Sequence, residues 1–263
     1  MGLDHHRGGS GEPLVLVHGI GSSWQSWRPI LPALEARHDV LAVDLPGFGG
    51  SAPFETSIRP TIGALADAVE GAVAAADMAD PHVAGFSLGG WVALELARRG
   101  RIQTVVAISP AGMGLPRERA FSHRTLEASY AAARLAAPHA DALVSTALGR
   151  TLFFAQLLAR PWAMPPGAAA EAIRALGDSP AFLETLEWTS KRGSPAKGLE
   201  EIRCPTRILW GTRDHLLLPR QGPRFVRRIP HAELVPMKGL GHVPMTDDPD
   251  VVARGILEFT APA

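Results

Sequence analysis

The sequence predicts an α/β protein built on a mostly parallel, twisted sheet with helices on both faces. Six short and nearly all-apolar runs alternate along the chain with longer amphipathic stretches. Such runs are typical of strands that are buried on both faces of a parallel sheet, and alternating strands and helices favour that architecture. The predicted strands are 14–17, 40–43, 83–86, 104–108, 208–210 and 233–235.

Three amphipathic stretches predict helices between or after these strands. Apolar residues recur at steps of three and four over 62–73. The stretch 88–99 ends in two arginines followed by Gly100, which is a common helix stop. In 247–259, Pro249 suits a first helical turn. The polar leader before Gly11 is short, so we expect an edge strand there to be missing or truncated.

The alternation of strands and helices breaks between residues 114 and 198. This stretch is rich in Ala, contains seven prolines and shows no buried strand pattern. We therefore predict a core made of 1–113 and 199–263, interrupted by an insertion of several short helices at 114–198. An ordinary run of longer crossover connections is the alternative.

Composition narrows the classes of protein. The chain has 263 residues, 46% of them hydrophobic, with 26 basic and 26 acidic residues and a net charge of zero. The high apolar content and the zero net charge exclude disorder as the main state. The lack of an excess of basic residues argues against nucleic-acid binding. The polar leader is not a signal peptide, and no run reaches the roughly 18 apolar residues of a membrane span. We expect a cytoplasmic monomer or homodimer, in which the single Cys204 is structural.

The motif Gly85-Phe86-Ser87-Leu88-Gly89 lies between a predicted strand and a predicted helix. Glycines two residues before and after a serine relieve the crowding of a very tight strand-to-helix turn. The turn lifts the hydroxyl above the sheet edge, beside amide groups that favour negative charge. Ser87 is therefore the candidate nucleophile, with a glycine-rich packing turn as the alternative.

A serine nucleophile needs a base, and the base needs an acid to orient it. His242 follows the last predicted strand, and Asp214 follows the strand before it, so both fall on the carboxyl side of the sheet. The order Ser, Asp, His is that of a known hydrolase triad. Asp44 is a rival acid, but its surroundings favour a tight turn.

The remaining histidines and aspartates have structural interpretations. Asp247 and Asp248 look like the cap of the last helix, and His18 is expected to be structural. Four others are expected at the surface: His38, His123, His139 and His231.

Fixed backbone amides that hold a developing oxyanion complete such a site. We assign one to Leu88, directly after the nucleophile, and the other to Ile20 in His18-Gly19-Ile20-Gly21, with Gly21 as the fallback.

Five segments together resemble the α/β-hydrolase superfamily, and within it the small serine esterase-like, epoxide-hydrolase-like branch. They are LVLVHGIGSSWQSW (14–27), VDLPGFGGS (43–51), GFSLGGW (85–91), LWGTRDHLLLP (209–219) and GLGHVPMTDDP (239–249). The resemblance places Ser87, Asp214 and His242 in the family's catalytic positions. It also implies that 114–198 is the helical cap, or lid, that covers the pocket.

The resemblance also separates reactions within the family. Its epoxide hydrolases and haloalkane dehalogenases have Asp at the nucleophile position, so Ser87 argues against both. Its carbon–carbon bond hydrolases often read Pro-Gly-Ala where this chain reads Ser22-Ser23-Trp24, so that activity is less favoured.

The expected function is a carboxylesterase-like serine hydrolase that cleaves an ester, or a related acyl bond such as a thioester or lactone, through an acyl-enzyme. The expected partner is a small-molecule substrate, and no metal or other cofactor is expected. Three aromatic residues of the predicted cap favour a small to medium hydrophobic substrate, unless they form the cap's own core: Phe153, Phe154 and Trp162. The alternatives are carbon–carbon hydrolysis of a diketone-like compound, perhydrolysis, or a non-catalytic ligand-binding protein of the same fold.

Overall fold

A computed structural model describes residues 2–191 and 195–261. The predicted insertion and the second core segment therefore include a few residues outside the described ones, 192–194 and 262–263. Within the described residues, seven strands form one sheet in the order β1-β3-β2-β4-β5-β6-β7. The strands are β1 (His5–Gly9), β2 (Glu12–Val17), β3 (His38–Val43), β4 (His82–Phe86), β5 (Val105–Ile108), β6 (Thr206–Gly211) and β7 (Glu233–Met237).

All neighbouring strands from β3 to β7 run parallel. The α/β prediction is therefore confirmed. The expectation for the leader was wrong, because β1 is a complete edge strand that pairs antiparallel with β3 from His5 to Gly9. The strand reads His-His-Arg-Gly-Gly and has no apolar residue, so no strand pattern is visible in the sequence, and the exposed edge needs no apolar face.

Eleven α-helices lie among the described residues. They are α1 (Leu31–Glu35), α2 (Ile62–Ala75), α3 (Leu88–Arg99), α4 (Pro116–Ala136), α5 (Ala140–Val144), α6 (Ala147–Phe154), α7 (Pro166–Gly177), α8 (Phe182–Leu186), α9 (Gly222–Val226), α10 (Pro244–Asp247) and α11 (Pro249–Leu257). The α3 bounds match the predicted 88–99, and Gly100 at its end is left-handed with φ 81°. Most of α3 is buried, as a helix between sheet and surface layer must be.

The sheet separates two apolar cores. Alternate residues of each central strand point to opposite faces, so Val15 and Val17 belong to one core and Leu14 and Leu16 to the other. β2, β4 and β5 are almost completely buried, whereas β7 is half exposed because it forms the far edge.

Helices α4 to α8 all lie in the chain between β5 and β6. Part of this segment has a core of its own, in which Phe154 and Leu158 pack against Ile173. Phe182, in contrast, joins the core of the sheet and stacks on Tyr130 with ring centroids 4.6 Å apart. A Cβ on Gly21, shortly after β2, would lie 2.9 Å from Cε2 of Phe182, so the segment packs against the carboxyl end of β2.

Candidate active site

The turn at Ser87 is as tight as its glycines suggest. Ser87 has φ 56° and ψ −117°, a conformation that costs a non-glycine residue about 1–3 kcal/mol. A Cβ on Gly85 would lie 2.2 Å from the carbonyl oxygen of Gly89, and one on Gly89 would lie 2.1 Å from that of Val17. No side chain fits at either position. The turn is therefore possible only with glycine at both places, and it puts Ser87 at the start of α3.

Asp214 and His242 meet across the ends of β6 and β7. Nδ1 of His242 donates a hydrogen bond to Oδ2 of Asp214 over 2.7 Å, and both side chains are almost completely buried. The other carboxylate oxygen, Oδ1, accepts the backbone amides of Leu216 and Leu217 at 2.9 and 2.8 Å. Asp214 is thus fixed by three donors, and its bond to Nδ1 leaves Nε2 of His242 for proton transfer.

The loop of His242 is held closely by its neighbours. Gly211, at the end of β6, lies against it: a Cβ there would come within 2.1 Å of the Gly241 carbonyl oxygen. The amides of His242 and Val243 both donate to the carbonyl of Leu157, at 2.7 and 3.1 Å. The position of the imidazole is therefore set partly by the segment between β5 and β6.

Ser87, Asp214 and His242 follow β4, β6 and β7 respectively, so they stand at one edge of the parallel sheet. At that edge a cavity of about 70 Å³ opens beside Ser87. Its wall near the serine is apolar and includes Ile20, Leu88 and Trp91.

Two backbone amides are available near the serine. A Cβ on Gly19 would lie 3.1 Å from the Cβ of Ser87, so the segment after β2 touches the turn. Among the described residues, no hydrogen bond is found from the amide of Ile20 or of Leu88. Leu88 is the first residue of α3, where helix amides lack internal partners. The arrangement can hold an oxyanion at this end of the cavity.

Asp44, the rival acid, is committed to the backbone. Its Oδ1 accepts the amide of Trp24 at 2.6 Å, and its Oδ2 accepts that of Gly50 at 2.8 Å. His18 is similarly engaged: Nδ1 bonds the Gly19 carbonyl at 2.7 Å and Nε2 accepts the amide of Leu45 at 2.9 Å. Burial lowers the pKa of His18 to about 4, against a smaller opposing effect of the Gly19 hydrogen bond. His18 is therefore neutral and structural.

Asp247 accepts three backbone amides, a role that the sequence did not predict. Asp248 caps α11 by accepting the amide of Val251, whereas Asp247 accepts the amides of Ala159, Arg160 and Gly241 at 2.8–3.0 Å. Asp247 thus joins the segment between β5 and β6 to the loop of His242. The available signal was the pair of aspartates itself, since only one of them can be the residue directly before the helix.

One further expectation about an individual side chain was wrong, and for two aromatic residues the structure shows the alternative of a core within the segment. His38 is buried, not at the surface, because it lies against Thr260, whose hydroxyl is 2.9 Å from Nε2. Of the three aromatic residues, Phe153 and Phe154 pack in the apolar core of α5 to α7, and Trp162 is half exposed. None of the three lines the cavity, whose aromatic residue is Trp91.

A buried polar group of the cavity wall was also missed. Glu118, at the start of α4, bonds Arg220 and Arg224 and accepts the amide of Leu115. The Arg224 hydrogen bond, followed by smaller contributions, lowers the pKa of Glu118 to about 2. Both Glu118 and the neighbouring Gln221 line the cavity. No motif marks either residue in the sequence.

No group of three or more His, Cys, Asp or Glu side chains among the described residues is placed to hold a metal ion. In the same part of the chain, no helix has the length and apolar character to cross a membrane.

A sequence model of the alpha/beta hydrolase family matches residues 14–255. The chain belongs to the alpha/beta hydrolase family. The family's fold agrees with the parallel sheet described above, so the resemblance predicted from the five segments is confirmed.

Relatives within the alpha/beta hydrolase family include several kinds of hydrolase. The pimeloyl-[acyl-carrier protein] methyl ester esterase of Neisseria meningitidis is 29% identical over 94% of this chain and 92% of its own length. The structure of a membrane phospholipase A, described as a bacterial virulence factor, has a TM-score of 0.78 and 26% identity, covering 98% of this chain and 86% of that one.

A meta-cleavage product hydrolase has a TM-score of 0.74 with 20% identity, covering 97% of this chain and 93% of that one. At that identity the likeness shows the fold alone. Membership of the alpha/beta hydrolase family, shown by the match over residues 14–255, supports hydrolase activity for the present chain.

Proposed function

We propose that this alpha/beta hydrolase is a serine esterase that cleaves a carboxylic ester, or a related acyl bond, through an acyl-enzyme. The observation that supports it most is the 2.7 Å bond between His242 and Asp214 at the sheet edge where Ser87 stands on its strained turn. In this proposal the three residues form the catalytic triad, and residues 114–198 form a cap over it.

The proposed first step is attack of Ser87 Oγ on the carbonyl carbon of the ester. The hydroxyl proton passes to Nε2 of His242, and the carbonyl electron pair moves to oxygen. The amides of Ile20 and Leu88 donate to that oxyanion, an effect worth about 3–4 kcal/mol per donor in other hydrolases. Asp214 stabilises the imidazolium and keeps the ring in its tautomer.

The intermediate then collapses. The carbon–oxygen bond to the alcohol breaks, and the alcohol leaves with the proton held on His242. A water molecule next gives a proton to His242 and adds to the acyl carbon. The bond to Ser87 breaks as the proton returns to its oxygen, and the free acid leaves.

The cavity bears on the size of the substrate. Its volume of about 70 Å³ lies well below the roughly 300 Å³ and more of typical ligand pockets. The apolar residues beside Ser87 favour a short hydrocarbon group there. A longer substrate requires that helices of the cap move away from the strand ends.

Carbon–carbon bond hydrolysis is a second candidate, supported only at the level of fold by the meta-cleavage product hydrolase. The sequence Ser22-Ser23-Trp24, unlike the pattern noted for that activity, disfavours it. Perhydrolysis and ligand binding without turnover use the same pocket and are separated from ester hydrolysis by assay.

The test is hydrolysis of p-nitrophenyl esters of increasing acyl length, beside a matched thioester and a meta-cleavage dienone. We expect repeated turnover of short-chain esters by the wild type and none above background by Ser87→Ala. Circular dichroism and the melting temperature verify that the variant is folded. Equal activity of a folded Ser87→Ala protein, or turnover of the dienone alone, would contradict the proposal.

A further inference from the structure

One buried side-chain oxygen in the cavity wall has no hydrogen-bond partner among the described residues. Gln221 is 1% exposed, and its Oε1 is buried without a hydrogen bond among the described residues. Buried polar atoms in native proteins are nearly always bonded, so an exception in a cavity indicates a ligand or water that completes it. Gln221 is the last residue of the 3-10 helix Pro219–Gln221. Its backbone N–H donates to the carbonyl of Leu218 at 2.9 Å.

The backbone of Gly114 lies beside this oxygen. A Cβ on Gly114 would lie 3.4 Å from Oε1 of Gln221 and 3.1 Å from Cγ of Arg119. Gly114, Arg119 and Gln221 all line the cavity. Oε1 itself is covered in the structure, so a substituent of the substrate reaches it when the side chains that line this part of the cavity move aside.

The carboxylate nearby is already paired. Glu118 accepts from Arg220, from Arg224 and from the amide of Leu115, and it stays ionised because its pKa is about 2. The hydroxyls of Ser122 and Thr189 in the same wall donate to backbone carbonyls. Gln221 is left as the group whose acceptor is unsatisfied, and a neutral donor suits it.

Gln221 and the proposed acid belong to one loop. Leu216 and Leu217 give their amides to Asp214 and their side chains to the cavity wall, and Gln221 follows four residues later. Along the chain, this loop therefore supplies the carboxylate of Asp214, then the apolar side chains of Leu216 and Leu217, and then the polar side chain of Gln221.

We propose that Gln221 is a specificity-determining residue that accepts a hydrogen bond from a neutral hydroxyl or N–H group of the substrate, separated from the scissile ester by a short hydrocarbon spacer. This inference rests on the proposed function of the same site. It makes hydroxylated or amide-bearing esters the preferred substrates over simple alkyl esters.

The test compares matched esters that differ only in their far end. The acyl set is p-nitrophenyl hexanoate, its omega-hydroxy analogue and its omega-carboxylate analogue. The alcohol set is butyl acetate and its omega-hydroxy analogue. We expect the wild type to prefer the hydroxyl-ended ester by kcat/KM, in at least one set, by roughly tenfold or more.

Gln221→Met keeps the length of the side chain and removes the amide. We expect this variant to lose the preference for the hydroxyl, with the ratio of the two kcat/KM values falling roughly tenfold. Gly114→Ala places a methyl group 3.4 Å from Oε1 and 3.1 Å from Cγ of Arg119 while keeping Gln221, and it should lower the same ratio. Gln103→Met, the same substitution at an exposed site before β5, should leave the ratio unchanged.

The outcomes separate this inference from the esterase proposal. An unchanged ratio in a folded Gln221→Met protein, or a wild-type preference for the alkyl or carboxylate end, overturns the role of Gln221 while leaving the esterase intact. If no ester is turned over, calorimetry of the hydroxylated and plain alcohols with Ser87→Ala decides the matter. If Ser87→Ala binds butane-1,4-diol more tightly than butanol, and if this difference disappears when Gln221→Met is added, the role of Gln221 is supported. Equal binding of the two alcohols contradicts it.

Discussion

Two pairs of histidine and aspartate stand at the carboxyl ends of this sheet, and in only one of them do the two side chains bond each other. In the pair after β6 and β7, Nδ1 of His242 bonds Asp214 directly. In the pair after β2 and β3, Nε2 of His18 is 4.0 Å from Asp44, and both side chains bond backbone groups instead. The residue types are identical, so the difference lies in the partners.

In our proposal, the hydrogen bonds of each pair decide whether it has a structural or a catalytic role. Both nitrogens of His18 are occupied, one as donor and one as acceptor, and burial lowers its pKa to about 4. His18 therefore cannot take a proton at neutral pH. His242 has one nitrogen held by a carboxylate, which orients the ring and compensates a positive charge on it.

The largest expected effect comes from the base itself. His242→Ala should lower kcat for the best ester by about ten thousandfold or more, because Ser87 then has no proton acceptor. His82→Ala is the matched control. His82 also bonds a carboxylate, that of Glu12 at 3.1 Å, but it lies at the opposite end of β4 from Ser87. If a folded His82→Ala protein lost as much activity as His242→Ala, the proposed special role of His242 would be contradicted.

The two aspartates give the next largest contrast. Asp214→Asn should lower kcat by about a thousandfold or more, because an amide donor favours the wrong tautomer of His242. Asp44→Asn should change kcat by no more than about threefold and instead lower stability by about 1–2 kcal/mol through its weakened amide contacts. Kinetics and urea unfolding of both variants measure these effects. Equal losses of kcat would make Asp44 the acid.

Asp247 tests how far the segment between β5 and β6 positions His242. Asp247→Asn removes one acceptor for the amides of Ala159, Arg160 and Gly241. We expect kcat to fall roughly tenfold to a hundredfold, since small displacements of a catalytic group are costly. Faster hydrogen exchange at the Gly241 amide should accompany the loss. Asp248→Asn, which keeps a good helix cap, should leave both quantities unchanged.

The structural pair makes a prediction about stability and pH. Between pH 6.5 and pH 4 the unfolded chain protonates His18, whereas the folded protein does not. The unfolded state then holds more protons, so the free energy of unfolding falls as pH decreases through this range, by about 3 kcal/mol from His18. His38, whose pKa is also lowered mainly by burial, acts in the same direction.

Urea unfolding across that pH range measures the slope. His18→Asn should flatten it, although the variant starts less stable, and His139→Asn at an exposed position should leave it as in the wild type. If His18→Asn left the pH dependence of the free energy of unfolding unchanged, His18 would not be a buried, neutral side chain in the folded protein.

Much of this could be predicted from the sequence, for identifiable reasons. The strands β2, β4 and β5 are buried on both faces and so appear as apolar runs, and Gly100 marks the end of α3. Motif spacing likewise placed Ser87, Asp214 and His242 at strand ends. Each of these signals is local in the chain.

What could not be predicted depends on contacts between distant residues. β1 is held by pairing with β3 and not by an apolar pattern of its own. Asp247 bonds amides 87 and 88 residues away, and Glu118 bonds arginines more than 100 residues away. Gln221 is notable only because its oxygen lacks a partner, a property that exists only in the folded protein.

The measurement that tests the central claim most directly is the rate at which a fluorophosphonate labels the protein, followed by intact mass. If Ser87 is activated by His242 and Asp214, the wild type gains a single adduct and Ser87→Ala gains none. Asp214→Asn should react on the order of a thousandfold more slowly, and Asp44→Asn at nearly the wild-type rate. Labelling of Ser87→Ala, or equally fast labelling of wild type and Asp214→Asn, would contradict the account.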